Sequence, residues 1–180
     1  MPRSICSRIC ALAGVVAIGG MLAALHPGAA EADQLTAKDV QIVGRALGFL
    51  DPPPHDATVG IVYAPASKAE ADAIVAAFGD GVKGGSSVFK AKLVELASVG
   101  SVTGLAALIA TTGTAGDAVM AAAKAQHIPC VTADAEQVKA GHCVMSVRSD
   151  PKVDITLSHA AAEATGVGFG SAFRMMIHEI

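Results

Sequence analysis

Tryptophan is absent from this sequence and tyrosine occurs once, at Tyr63, with only five phenylalanines beside it. A core of aromatic stacks is therefore excluded, and an aliphatic interior built on alanine, valine, isoleucine and leucine is expected. No excess of positive charge exists either. The formal net charge is −3, which gives no electrostatic basis for nucleic-acid binding or for attraction to an anionic membrane. No lysine-bearing phosphate loop and no dinucleotide fingerprint is present. Repeats and low-complexity linkers are missing too. Over 180 residues this leaves one domain with enough apolar content to bury a core.

Cysteine is scarce, and its placement is informative. The N-terminus carries Arg3 and Arg8, then an apolar run over Ala11–Leu25, then small residues that offer cleavage after Ala30 or after Ala32. That order is expected to be a secretory signal peptide over residues 1–32; the alternative is an uncleaved N-terminal anchor, for which the apolar run is short. No apolar run precedes Cys6 or Cys10, so neither resembles a lipoprotein acylation site. Both leave with the leader, and the exported chain keeps Cys130 and Cys143. A lone pair in an oxidising compartment is expected to form a disulfide, which the chain-entropy model values at about 3 kcal/mol for a loop of this size. The competing reading is a metal site from His127, Cys130, His142 and Cys143. It is disfavoured because adjacent His and Cys side chains on a strand point to opposite faces. No metal and no cofactor is expected.

The remaining chain alternates helical and strand patterns. Gln34–Phe49 has helical spacing, with Thr36 and Asp39 placed as a capping box. A proline-rich connector follows, and the apolar run Ala57–Tyr63 has the character of a buried parallel strand. Lys68–Phe78 reads as a helix with Ser67 as its N-cap and Gly79 as its stop. Gly79–Ser86 reads as turns. Ser87–Leu96 alternates Val88, Lys90 and Lys92 with Phe89, Ala91 and Leu93, which suggests an edge strand. Leu105–Thr111 and Cys130–Thr132 are further strands, with a helix over Ala118–Gln126 between them. Val144–Val147 and Val153–Leu157 flank the turn at Ser149–Pro151 as an antiparallel hairpin. Helices over Ala160–Thr165 and Ser171–His178 close the chain, separated by a Gly166–Gly170 hinge. The expected fold is α/β: a single domain, residues 33–180, with a mostly parallel sheet flanked by helices and a C-terminal antiparallel hairpin.

Candidate chemistry is sparse. The loop Thr111–Asp117 lies where a strand ends and a helix begins, and Thr111, Thr112, Gly113 and Thr114 are the candidate ligand-binding residues, offering backbone N–H groups to an anion. Ser158 and His159 are adjacent, with Asp154 and Glu163 nearby. Adjacency at a helix start points such side chains apart, so capping by Ser158 explains them better than a nucleophilic triad. Met175, Met176 and His178 resemble a soft metal cluster, but Phe173, Met176, Ile177 and Ile180 fall at core-facing helical spacing. No catalytic residues are assigned.

From the first helix to the C-terminus the chain resembles the YfiR/HmsC-like family of small periplasmic proteins. The resemblance rests on Phe49–Pro52 after the first helix, on Val59–Tyr63, and on Asp154–Ala161 followed by Thr165–Phe169. Gly141-His142 stands where the family usually has Gly-Gly, and Thr156 where it has Asn. These motifs are structural rather than catalytic. The resemblance implies a non-enzymatic periplasmic regulator or sensor in which disulfides matter for stability. Its implied partner is the periplasmic domain of an inner-membrane sensor or diguanylate cyclase, and it admits a homodimer. The alternatives are a small-molecule binding component of an envelope uptake or sensing system, and a small hydrolase using Ser158 or His159.

Overall fold

Continuous apolar runs bounded by glycine and proline have to bury both faces, and two of them form the centre of this computed structural model, which describes residues 34–54 and 57–180. Strand β1 (Thr58–Tyr63) and strand β4 (Ala107–Ala110) lie side by side in parallel. Val59, Ile61, Val62, Leu108 and Ile109 are inaccessible to solvent. The expected leader and cleavage sites, with Cys6, Cys10 and His55, lie outside the described residues.

Helix α1 (Ala37–Leu47) precedes β1, and α2 (Lys68–Phe78) follows it. Then come β2 (Val82–Gly84), β3 (Ser87–Glu95), β4, α3 (Asp117–Gln126), β5 (Cys130–Thr132) and α4 (Ala135–Lys139). The chain ends with β6 (Met145–Arg148), β7 (Asp154–Leu157), α5 (His159–Thr165), α6 (Ser171–Arg174) and β8 (His178–Glu179). The sheet order is β2-β3-β1-β4-β5-β6-β7-β8. Five strands, β3-β1-β4-β5-β6, are mutually parallel. The β6–β7 hairpin and the β2–β3 pair are antiparallel, and β8 runs parallel to β7. Helices α1 and α2 pack on one another and on β1–β3, while α3 packs on β4, β5 and α5. The α/β class, the mostly parallel sheet and the C-terminal hairpin are those expected from the sequence.

Local chemistry explains the helix boundaries. Thr36 Oγ1 accepts from Asp39 N at 3.2 Å and Asp39 Oδ2 accepts from Thr36 N at 2.8 Å, a reciprocal box at the start of α1. Ser158 Oγ accepts from Ala161 N at 3.2 Å and caps α5. Gly79, at φ 51°, stops α2. Ser67 behaves differently from its expected role. It makes no cap bond to α2; its Oγ instead accepts from Ala64 N at 3.2 Å and lies 2.8 Å from Thr111 Oγ1.

Three further expectations change. Strand β3 is not an edge strand over its whole length, because β2, inside the segment read as turns, pairs with Ser87, Val88 and Phe89. This strand is held by close packing under α1, where Gly44 and Gly84 meet backbone to backbone. No periodicity in three residues announces it. The helix expected over Ser171–His178 ends at Arg174, and His178 and Glu179 pair with Thr156 and Leu157. Met176 and Ile180 are consequently exposed, at 69% and 41%, rather than in the core; Phe173 is buried. Finally, Gly166–Gly170 is pinned rather than a free hinge. Asp51 N donates to Gly168 O and Gly170 N to Phe49 O, at 3.0 and 2.9 Å.

Candidate functional site

The chain leaves β1 for β3 on one side and then places β4, β5 and β6 on the other. The connections after β1 and β4 therefore diverge, and a crevice opens at the carboxyl ends of these two strands. In open parallel sheets this reversal point is where ligands bind. It brings the Pro65–Ser67 turn and the start of α2 against the Thr111–Asp117 loop, two segments far apart in sequence.

The four candidate residues of that loop divide into two pairs. Thr111 and Thr114 are buried and serve the scaffold: Thr111 Oγ1 donates to Val62 O at 2.8 Å, and Thr114 Oγ1 donates to Thr111 O at 2.9 Å. Thr112 and Gly113 are exposed at the crevice. Gly113, at φ 75°, takes the left-handed turn conformation that a side chain would resist. Two of the loop amides are already engaged within the protein. Thr112 N already donates to Glu70 Oε2 at 3.0 Å, and Thr114 N donates to Thr111 O at 3.0 Å. The protein's own carboxylate occupies the anion position.

Glu70 lies in the first turn of α2, where negative charge is favourable, yet only 9% of the residue is exposed. Burial raises its pKa above the ordinary carboxylate value, and the hydrogen bonds from the Thr112 amide and hydroxyl pull only partly the other way. Among the described residues it has no ion-pair partner; Lys68, two positions earlier, pairs with Asp72. A cleft of about 380 Å³ opens beside it, lined by Gln34, Ala66, Ser67, Ala69, Ala73 and Thr112. Past Gln34 lies a second cleft of about 530 Å³ that includes Asp39, Arg148 and Ser149. Asp39 is 3% exposed, and its Oδ1 is buried without a hydrogen-bond partner. Neither Glu70 nor Gln34 stood out in the sequence, since an acidic residue in a first helical turn is ordinary.

The cysteine pair is joined. Cys130 and Cys143 are fully buried with Cα atoms 4.9 Å apart, and the disulfide fastens β5 to the segment entering β6. The two imidazoles of the competing metal reading are directed elsewhere: His127 Nδ1 lies 3.1 Å from Thr165 O, and His142 Nδ1 lies 2.9 Å from Gln137 Oε1. His159 does not meet the capping hydroxyl of Ser158. It sits between Glu179 and Glu163, at 3.0 and 3.2 Å, and Arg174 clamps Glu179 and holds its carboxyl below the usual range. This cluster ties β8 to α5. The sequence did not reveal it, because a continuous helix would have carried Glu179 elsewhere.

No family model matches the chain, and no curated protein matches it. Among solved structures it is similar to the crystal structure of a conserved domain protein from Vibrio cholerae O1 biovar eltor, with 17% sequence identity and a TM-score of 0.55. The alignment covers 81% of this chain and 60% of that one, so this chain spans well under the full length of its structural neighbour. The likeness shows the fold. Among the described residues no helix is long and apolar enough to cross a membrane, and the disulfide is compatible with an extracytoplasmic location.

Proposed function

We propose that this chain is a non-enzymatic periplasmic regulator that binds and restrains the periplasmic part of an inner-membrane signalling protein such as a diguanylate cyclase. The observation that carries the reading is the C-terminal apolar surface. Met175 and Met176 are 87% and 69% exposed on the turn between α6 and β8, and Phe49 stacks on Phe173 with ring centroids 5.2 Å apart while itself staying 40% exposed. Two adjacent, exposed, flexible methionines and a part-exposed aromatic ring are side chains that suit an adaptable protein contact. The β6–β7–β8 end bearing this surface is braced by the Cys130–Cys143 bond and the Arg174–Glu179–His159 cluster. The resemblance to the YfiR/HmsC-like family supplies the class of partner.

Substituting exposed residues tests this reading without disturbing the core. Met175→Asp together with Met176→Asp is expected to leave the melting temperature within about 2 °C, since surface changes away from structural features cost little. The same pair should reduce in-cell crosslinking to a membrane-bound cyclase or sensor at least tenfold. Undiminished crosslinking of the folded double variant would place the contact elsewhere and defeat the assignment.

A further inference from the structure

We infer that the crevice beside Glu70 is a binding site for a small primary aliphatic amine, whose ammonium group pairs with the Glu70 carboxylate and whose hydrocarbon stem lies along Ala66, Ala69 and Ala73. This inference is independent of the partner reading, which concerns the opposite, C-terminal part of the chain.

Three observations converge. The first is position: the cleft opens at the reversal point of the parallel strands β3-β1-β4-β5-β6, the place where this architecture leaves room for a ligand. The second is charge. Glu70 is a buried carboxylate whose Oε2 accepts from Thr112 N, and among the described residues no lysine, arginine or histidine pairs with it. Asp39, with its unpartnered Oδ1, belongs to the neighbouring cleft that also holds Arg148 and shares Gln34 with this one. A buried carboxylate without a cationic partner disfavours an anionic ligand and favours a donor-rich positive group. An ammonium brings three N–H donors and no acceptor, and so complements it. The third is shape. About 380 Å³ beside Glu70 accommodates a short chain, and the alanine methyls of α2 and the preceding turn give it an apolar wall. Gln34 and the Ser67 hydroxyl line the rim.

The nearby cations do not fill this role. Lys68 is held by Asp72 and lies over the Tyr63 ring, 5.4 Å from its centroid, and Lys38 Nζ reaches Ser149 O at 3.4 Å. Burial that raises the Glu70 pKa also strengthens the attraction for a bound cation, because the carboxylate has lost part of its water.

The test is isothermal titration calorimetry of the protein from residue 33 onward with three probes of equal chain length: n-butylamine, 1-butanol and butyrate. Butylamine is expected to bind, while butanol and butyrate bind at least tenfold more weakly. Glu70→Gln keeps an oxygen to accept from Thr112 N and should weaken butylamine binding at least tenfold. Ala73→Leu, on an exposed face of α2, fills the cleft without touching the charge and should do the same. Circular dichroism confirms that each variant is folded. The inference is overturned if butylamine shows no heat of binding at millimolar concentration, if butanol or butyrate binds as tightly, or if folded Glu70→Gln binds butylamine as well as the parent.

Discussion

Burial decides the behaviour of Glu70, and the consequence for stability has a definite sign. Its pKa in the folded chain is raised above the ordinary value of 4.5. The folded state therefore holds this proton more tightly than the unfolded state. The stability associated with the protonated group is fully present below pH 4.5, falls as pH rises through the raised value, and stays lost above it. Glu70→Gln removes the charge and keeps the acceptor, so its melting temperature should equal or exceed the parent's at pH 7, with the advantage shrinking towards pH 4. Melting curves for both proteins across that range check this. A variant equally destabilised at pH 4 and pH 7 would show that burial of charge is not what distinguishes the residue. At this scale the sequence was legible where a side chain acts on its own backbone neighbourhood, as with Thr36 and Asp39 or Ser158. It is opaque where the partner is distant: Ser67 stands where a cap is expected, and nothing local shows that Thr111 lies across from it.

Helices with sustained apolar spacing and the short apolar runs of β1, β4, β5, β6 and β7 are legible in the sequence; the departures, β2 and the end of the chain, are fixed by contacts with other elements. Helices α1, α2 and α3 matched their apolar spacing. Phe173, Met176, Ile177 and Ile180 have equally good helical spacing, yet the chain leaves the helix after Arg174. Pairing with β7 satisfies backbone groups that an open strand edge would leave without protein partners. Strand β2 is the complementary miss, a three-residue strand placed by its fit under α1. That fit depends on the absence of side chains: a methyl at Gly84 would run into the backbone oxygen of Gly44 and the ring of Phe89. Gly84→Ala is accordingly expected to destabilise the fold by about 1–3 kcal/mol, the usual range for overpacking, measured as a lowered urea midpoint. An unchanged midpoint would mean that α1 and β2 can separate at no cost.

For the whole molecule, alternating strand and helix patterns were enough to give the α/β class, but not the order of the strands. Strand order arises from which crossovers the core permits, and it is the order that creates the crevice and brings Glu70 to the Thr111–Asp117 loop. The loop was visible in the sequence as a strand-to-helix connection with glycine and threonine; its occupation by a carboxylate from α2 was not. Likewise the cysteine pairing was legible from counting, while the exposed methionine turn was hidden by a pattern that fits a core helix. The two surfaces lie on different parts of one sheet. The crevice belongs to the carboxyl ends of β1 and β4, and the methionine turn to the segment that closes against β7.

The measurement that tests the regulatory reading most directly is affinity capture from envelope extract using the protein from residue 33 onward, once with the disulfide intact and once after reduction, with bound proteins identified by mass spectrometry. The expected result is recovery of an inner-membrane protein that combines a periplasmic domain with a cytoplasmic signalling domain, strongly from the oxidised sample and weakly from the reduced one. Recovery of no such protein by the oxidised, folded chain would contradict it.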